Sequence, residues 1–253
     1  KKACHYCDYH FSTSLKSKDS IIDSILNEIN LRADEINEKI NSIYFGGGTP
    51  SLISENDTKK ILNAINKKFH ISENAEVTLE CNPDDINIKN IKGWKNNNIN
   101  RISLGVQSFF DSDLELMNRS HNSITATQAI ELIKDNFKNF SIDLIYGIPE
   151  SSFDIWKRNI DIGLKYDVPH ISTYVLTVEP KTALIKLIEK NKIEEVSDID
   201  QKLQFEYVYD YLLSLGYVNY EFSSFAKPGY ECKNNVTYWN RGKYIGFGPS
   251  AHS

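Results

Sequence analysis

Strand-like and helix-like segments alternate along most of this chain, and that rhythm limits its fold more than any other feature. Runs at Ser42–Phe45, Val77–Cys81, Arg101–Gln107, Ser141–Tyr146 and Ile171–Leu176 read as strands. Segments with helical apolar spacing separate them. One carries Ile21, Ile22, Ile25, Leu26 and Ile29 on one stripe, with Asp19 or Ser20 as its N-cap. The next starts after Ser54, with Asp57 three residues on and Ile61, Leu62 and Ile65 as its apolar face. Shorter helical stretches fall at Ile88–Trp94 and Leu114–Met117. Thr125 and Gln128 read as a capping box for the helix of Ile130 and Ile133, and Phe153–Leu164 forms another. Leu203–Leu215 ends in Gly216 at the C′ position. Strands alternating with helices of this length predict βαβ units and a parallel sheet. Beyond Tyr217 the pattern is irregular, with strand-like pieces at Val218–Phe222 and Tyr244–Phe247.

The strands also predict where a site lies, because side chains alternate between faces. Val77, Leu79 and Cys81 share one face of their strand and Thr78 and Glu80 the other. Ile102, Leu104 and Val106 oppose Ser103, Gly105 and Gln107. Ile142 and Leu144 oppose Ser141 and Asp143, and Ile171, Thr173 and Val175 oppose Ser172 and Tyr174. A parallel sheet covered on both sides is apolar on both faces. One polar face repeated over four strands predicts an open barrel with a ligand-filled interior and its site at the C-terminal mouth. The alternative is that these polar groups satisfy one another by hydrogen bonding.

Composition narrows the class. The chain has 253 residues, 40% hydrophobic and 25% charged, which suits a globular protein of one large domain or two small ones. A net charge of −5 argues against nucleic-acid binding. No apolar run approaches the ~20 residues of a membrane span, and no secretory leader is evident. Four cysteines do not make a disulfide scaffold, so a reducing, cytoplasmic location is expected.

Two motifs carry chemistry. Cys4 and Cys7 frame His5 and Tyr6 in a C-x-x-C. That spacing suits a redox pair, zinc or an iron–sulfur cluster. A redox pair of the thioredoxin kind needs a preceding strand. Zinc needs further ligands from Cys81, Cys232 or His10. A cluster needs a third cysteine. Local spacing does not choose among these, nor between them and a structural pair. Gly46-Gly47-Gly48-Thr49-Pro50 follows a strand and precedes a helix. Glycines let a backbone approach a ligand closely. The segment lacks the G-K-[ST] of a P-loop and the G-x-G-x-x-G of a dinucleotide fold.

Taken together, these motifs resemble the radical S-adenosylmethionine (SAM) family, and most closely its oxygen-independent coproporphyrinogen oxidase-like group, including the heme-chaperone branch. The ordered matches are Cys4 to Cys7, Gly46 to Pro50, Glu80-Cys81-Asn82-Pro83, Gly105-Val106-Gln107-Ser108, Asn118-Arg119-Ser120-His121 and Asp143 to Pro149. They continue through Ser172 to Leu176, Glu179-Pro180, Tyr220 to Gly229 and Gly246 to Ser253. The resemblance implies a partial (β/α)6 barrel, with residues 1–180 as its core. Residues 181–253 would be the rest of the barrel and the start of a family-specific C-terminal region. It implies a first strand before Lys1, a C-terminal domain beyond the chain, and trimmed ends.

The resemblance further implies a [4Fe–4S] cluster on Cys4, Cys7 and a third cysteine just before Lys1. SAM would lie against Tyr6, Gly47, Gly48, Thr49, Glu80, Gln107, Arg119 and Asp143. A reducing electron donor and a porphyrinogen or heme complete the expected partners. An electron from the cluster would cleave SAM to a 5′-deoxyadenosyl radical. Two departures bear on the branch. Tyr9 stands where the oxidases carry an additional cysteine, and Asp8 follows Cys7 as in the chaperones. Asn234 stands where the chaperones carry the histidine of an H-N-x-x-Y-W segment, so no residue is assigned to heme. The resemblance therefore leaves a heme chaperone and an enzyme, coproporphyrinogen III oxidase, both open. A non-enzymatic zinc-binding α/β protein is the third alternative.

Overall fold

A computed structural model describes residues 2–9 and 12–253. Its centre is one curled sheet, whose first five strands are β1 (Ile40–Phe45), β2 (Ile71–Cys81), β3 (Arg101–Gln107), β4 (Asn139–Tyr146) and β5 (His170–Val175). These run parallel in sequence order. With no reversal of order, every crossover returns on the same side, so the helices pack outside and the sheet curls into a half-barrel. The helices are α1 (Lys18–Leu31), α2 (Glu55–Lys68), α3 (Ile88–Asn96), α4 (Asp111–Leu116), α5 (Ser123–Asn136), α6 (Phe153–Lys165), α7 (Ala183–Glu189), α8 (Asp198–Ser214) and α9 (Lys233–Trp239).

The outer sheet face makes the core. Leu79, Ile102, Leu104, Val106, Ile142, Leu144 and Ile171 are at most 1% exposed. They join Ile91, Trp94, Ile130, Ile133, Ile160, Val208 and Leu212 from the helices in one cluster. A smaller cluster of Leu114, Met117, Ile145, Ile148, Leu176 and Leu184 lies at the C-terminal end of the strands, and Tyr6 packs against it.

Several expectations need correction. The strand-like piece at Val218–Phe222 is shorter than expected, β6 (Val218–Asn219), and a strand not expected, β7 (Ser224–Ala226), lies between it and β5, both pairs antiparallel. Tyr244–Phe247 is not a strand, because Gly248 turns at φ +102° and the segment bonds outward instead. Gly248 N–H donates to Glu28 Oε2, and Gly246 N–H to Ser253 Oγ. Helix α1 starts after Ser17, without a side-chain cap, rather than at Asp19 or Ser20. Helix α5 is capped by Asn122, whose side chain accepts from Thr125 N–H, so Thr125 receives the cap instead of supplying it. Ser54 caps α2 through Asp57 N–H, and Gly216 lies at C′ with φ +84°, both as expected.

Candidate functional site

The carboxyl ends of the strands and the N-terminal loop meet at one place. Cys4 and Cys7 lie on a tight turn, Cys7 N–H donating to the Cys4 carbonyl at 3.4 Å. The turn is pinned from two sides. His5 N–H donates to the Met117 carbonyl at 3.1 Å, and Asn118 Nδ2 donates to the Ala3 carbonyl at 2.7 Å. From the other side, Leu184 N–H donates to the His5 carbonyl at 2.8 Å. Both thiols are free and half-buried. Burial pushes the Cys7 thiol up, with the neighbouring Cys4 and Asp8 adding to it.

Arg119, just after α4, ties this turn to the strands. Its Nη1 donates to Cys4 Sγ at 3.3 Å and to Tyr6 Oη at 3.4 Å. Its Nη2 donates to Asn82 Oδ1 at 2.7 Å and to the Gly105 carbonyl at 3.0 Å. Its Nε is buried without a partner among the described residues. Gly105 leaves the guanidinium its room, since a Cβ there would lie 3.4 Å from Nη2 and 2.9 Å from Gln107 Nε2. Asn82 in turn donates to Thr49 Oγ1 at 3.4 Å, which joins Arg119 to the glycine loop.

The glycine loop wraps Glu80. Gly47 N–H donates to Glu80 Oε2 at 3.0 Å, and Tyr44 Oη donates to Oε1 at 2.9 Å. Gly47 turns at φ +99°, a conformation side-chain-bearing residues rarely adopt. Beside Gly47 and Gly48 nothing lies within 4 Å of where a Cβ would sit, so the backbone faces open space. Gly46 is required for another reason: its Cβ would meet the Tyr44 ring at 2.8 Å. Burial pushes Glu80 up to about 7, with Asp143 adding to the shift and the Tyr44 and Gly47 bonds opposing it. Asp143, deeper on β4, accepts from Ser103 Oγ at 3.2 Å. Burial raises it to about 6, against the pull of Arg101. Gln107 closes β3 with φ +69°, an uncommon conformation for a residue with a side chain.

Cys4, Tyr6, Arg119, Gly47, Thr49 and Glu80 therefore belong to one linked network, completed by Asn82. Gly48 adjoins it, Gln107 lies beside Gly105, and Asp143 sits below. Sequence reasoning missed Tyr44 and Asn82. Tyr44 shares the inner face of β1 and could have been found by alternation; Asn82 needed the three-dimensional link. Cys81 and Cys232 are buried elsewhere, Cys81 on the outer face and Cys232 against Glu76. Among the described residues no group of three or more His, Cys, Asp or Glu converges as a metal site. The zinc alternative thus gains no ligands there, and His10 lies outside the described residues.

A half-barrel with a C-x-x-C turn, a glycine loop and half-buried carboxylates at its mouth defines a class. The Radical SAM superfamily profile matches residues 1–162, and the chain belongs to that superfamily. Within it, the chain groups with the HemN and HemW proteins. It is 38% identical to the "Heme chaperone HemW" of Buchnera aphidicola subsp. Schizaphis graminum over 99% of this chain and 66% of the relative. It is 34% identical to that of Bacillus subtilis over 98% of this chain and 67% of the relative. The fold matches coproporphyrinogen III oxidase (HemN) from Escherichia coli with a TM-score of 0.83, at 20% identity, over 99% of this chain and 61% of that one. The chain spans about two thirds of the length of its curated relatives.

Membership of the superfamily implies a [4Fe–4S] cluster and SAM, and the residues fit both. The turn offers two of the three thiols a cluster needs, Cys4 against a guanidinium whose Nε has no partner among the described residues, and Cys7 across the turn. The glycine loop offers open backbone next to a half-buried carboxylate. Among the described residues, no helix is long and apolar enough to cross a membrane.

Proposed function

We propose that this chain is the core of a heme-chaperone-type radical SAM protein. The observation that carries this reading is the linkage of the Cys4–Cys7 turn, through Arg119 and Asn82, to the glycine loop and Glu80. Cys4 and Cys7 would hold the cluster, with a third cysteine preceding Lys1. When bound, the cluster supplies one-electron reducing chemistry to SAM. Gly47, Gly48 and Thr49 present backbone and hydroxyl groups to the amino group of the methionine moiety. Arg119 offers its guanidinium to the carboxylate. Glu80 accepts from ribose hydroxyls, and Tyr6 lies against adenine. Gln107 and Asp143 complete the polar wall. The apolar cluster behind Tyr6 keeps water from the reacting end.

The remaining expectations follow the same reading. Residues 1–180 form the barrel core, and residues 181–253 its completion and the start of a family-specific region. An oxygen-sensitive cluster calls for a reducing cytoplasm and a dedicated electron donor. Heme is the cargo, in keeping with the names of the relatives and with Tyr9, which stands where the oxidases have cysteine. Asn234 weakens the heme site of this reading, because an amide cannot replace an imidazole as an iron ligand, and coproporphyrinogen III oxidase stands as the second reading.

One pair of assays separates the two readings. The natural chain, including the residues before Lys1, is reconstituted anaerobically, titrated with heme, and separately incubated with coproporphyrinogen III, SAM and a reductant. Saturable heme binding without decarboxylation is expected. Conversion of propionates to vinyl groups would replace the chaperone reading with the oxidase.

A further inference from the structure

Beneath the SAM-side carboxylates lies a fully buried arginine that the site as described does not use. Arg101 opens β3 and is 1% exposed. Its one side-chain hydrogen bond among the described residues goes from Nη2 to Ser141 Oγ at 3.1 Å. Its Nε is buried without a partner among the described residues. A buried guanidinium without a paired carboxylate is costly, and chains retain one only where something compensates it. Glu76, on its lower side, favours its charge from a distance, but among the described residues no hydrogen bond joins the two, and the Glu76 oxygens are engaged elsewhere. It accepts from Lys233 N–H at 2.9 Å, the Cys232 thiol at 3.5 Å and Asn139 Nδ2 at 3.4 Å.

The other direction leads upward. Ser141 Oγ donates to Ser103 Oγ at 3.1 Å, and Ser103 Oγ donates to Asp143 Oδ2 at 3.2 Å and Oδ1 at 3.4 Å. Each hydroxyl has one proton to give. Arg101 can only donate, so Ser141 accepts from it. An ionised Asp143 can only accept, so Ser103 donates to it and itself accepts from Ser141. With a donor-only group at one end and an acceptor-only group at the other, the column has one sense, and successive bonds polarise one another toward the carboxylate.

We propose that Arg101 is a positioning residue for the SAM pocket, orienting Asp143 and keeping it ionised through the hydroxyls of Ser141 and Ser103. This rests on the reading above that Asp143 lines that pocket. An ionised Asp143 can only accept hydrogen bonds, which selects donor groups on the ligand. Other groups also face Asp143: Ser172 and Tyr174 on β5, Glu80 on β2, Tyr44 on β1 and Arg119 after α4. Glu80 opposes ionisation and Arg119 favours it. Arg101 is the stronger of the two cationic influences.

The test titrates Asp143 directly in the protein without cluster or SAM, using 13Cγ-labelled aspartate. The resonance is assigned by its loss in Asp143→Asn. Arg101→Gln should raise the Asp143 midpoint, weakening its acidity about tenfold, the low end for removing a nearby opposite charge. Arg101→Lys should restore most of the loss. Ser103→Ala, which leaves the charge but cuts the column, should raise the midpoint by a smaller amount and serves if Arg101→Gln does not fold. An unmoved midpoint in the folded variants overturns the proposal. A shift in Arg101→Gln with none in Ser103→Ala overturns the column. In the cluster-loaded chain, the pH midpoint of SAM binding should move with Asp143, and a stationary midpoint overturns the link to the pocket. Failure to form a cluster would sink the proposed function while leaving the aspartate titration as it stands.

Discussion

Replacing Glu80 with glutamine should flatten the pH dependence of folding stability. In the folded chain, burial holds Glu80 near 7 instead of an ordinary 4.5. Between those values the folded state keeps a proton that the unfolded state has released. The unfolded state then binds fewer protons, so stability falls as pH rises through this window. Below about 4.5 both states are protonated and the penalty vanishes. At ~1.4 kcal/mol for each pH unit, the full penalty above pH 7 has an upper bound of ~3.5 kcal/mol. The carboxylate keeps partial access to solvent at the barrel mouth, so about 2 kcal/mol is the expected size. Glutamine has the same shape and can be satisfied in place. Its oxygen can accept from Gly47 N–H while its amide donates to Tyr44 Oη, whose hydroxyl rotates. Urea unfolding of wild type and Glu80→Gln between pH 4 and about 8 gives the comparison. Wild type should lose about 2 kcal/mol more than the variant across the window. Parallel curves would refute the argument, because Glu80 would then titrate alike in both states.

Three further outcomes follow from the geometry. Gly47→Ala places a side chain at φ +99° and should cost about 1–2 kcal/mol in urea unfolding, although nothing crowds the site. Arg119→Ala removes the fork between the Cys4 turn, Asn82 and the Gly105 carbonyl; hydrogen exchange at the His5 and Leu184 amides should quicken about tenfold, one factor of ten for each ~1.4 kcal/mol of anchoring lost. Arg119→Lys should not restore it, since an ammonium cannot span the fork. Leu104→Ala, at a fully buried core position, should destabilise by ~2–5 kcal/mol and leave those amides no faster than global unfolding allows.

The parallel part of the fold was readable because its strands carry strong patterns. Arg101–Gln107 has the bounds expected of it, with Ile102, Leu104 and Val106 facing the helices. The polar inner face was equally plain, since alternation alone put Glu80, Gln107 and Asp143 together. What escaped was short or long-range. Strand β6 falls inside the strand-like piece expected at Val218–Phe222 but holds only two residues, and β7, with three, is too short for a period to register. Helix α9 lies in a stretch of Lys233-Asn234-Asn235 with little apolar spacing. The N-cap of α5 was misplaced because Asn122 and Thr125 both have capping side chains, and only geometry assigns donor and acceptor. Asn82 reads as the end of a strand before Pro83, yet it bridges Thr49 and Arg119, two residues far from it in sequence. The Arg101–Ser141–Ser103–Asp143 column was half visible: the serines and the aspartate fell on the right face, but the direction of the hydrogen bonds required coordinates.

The central claim is that the Cys4–Cys7 turn and the Glu80 loop together form a cluster-and-SAM site. Electron paramagnetic resonance of the reduced natural chain, reconstituted anaerobically and recorded with and without SAM, tests it most directly. The expected result is the signal of a reduced [4Fe–4S] cluster that shifts when SAM is added, and loss of that signal in Cys4→Ser and Cys7→Ser. A cluster signal indifferent to SAM, or one that survives both cysteine substitutions, would contradict it.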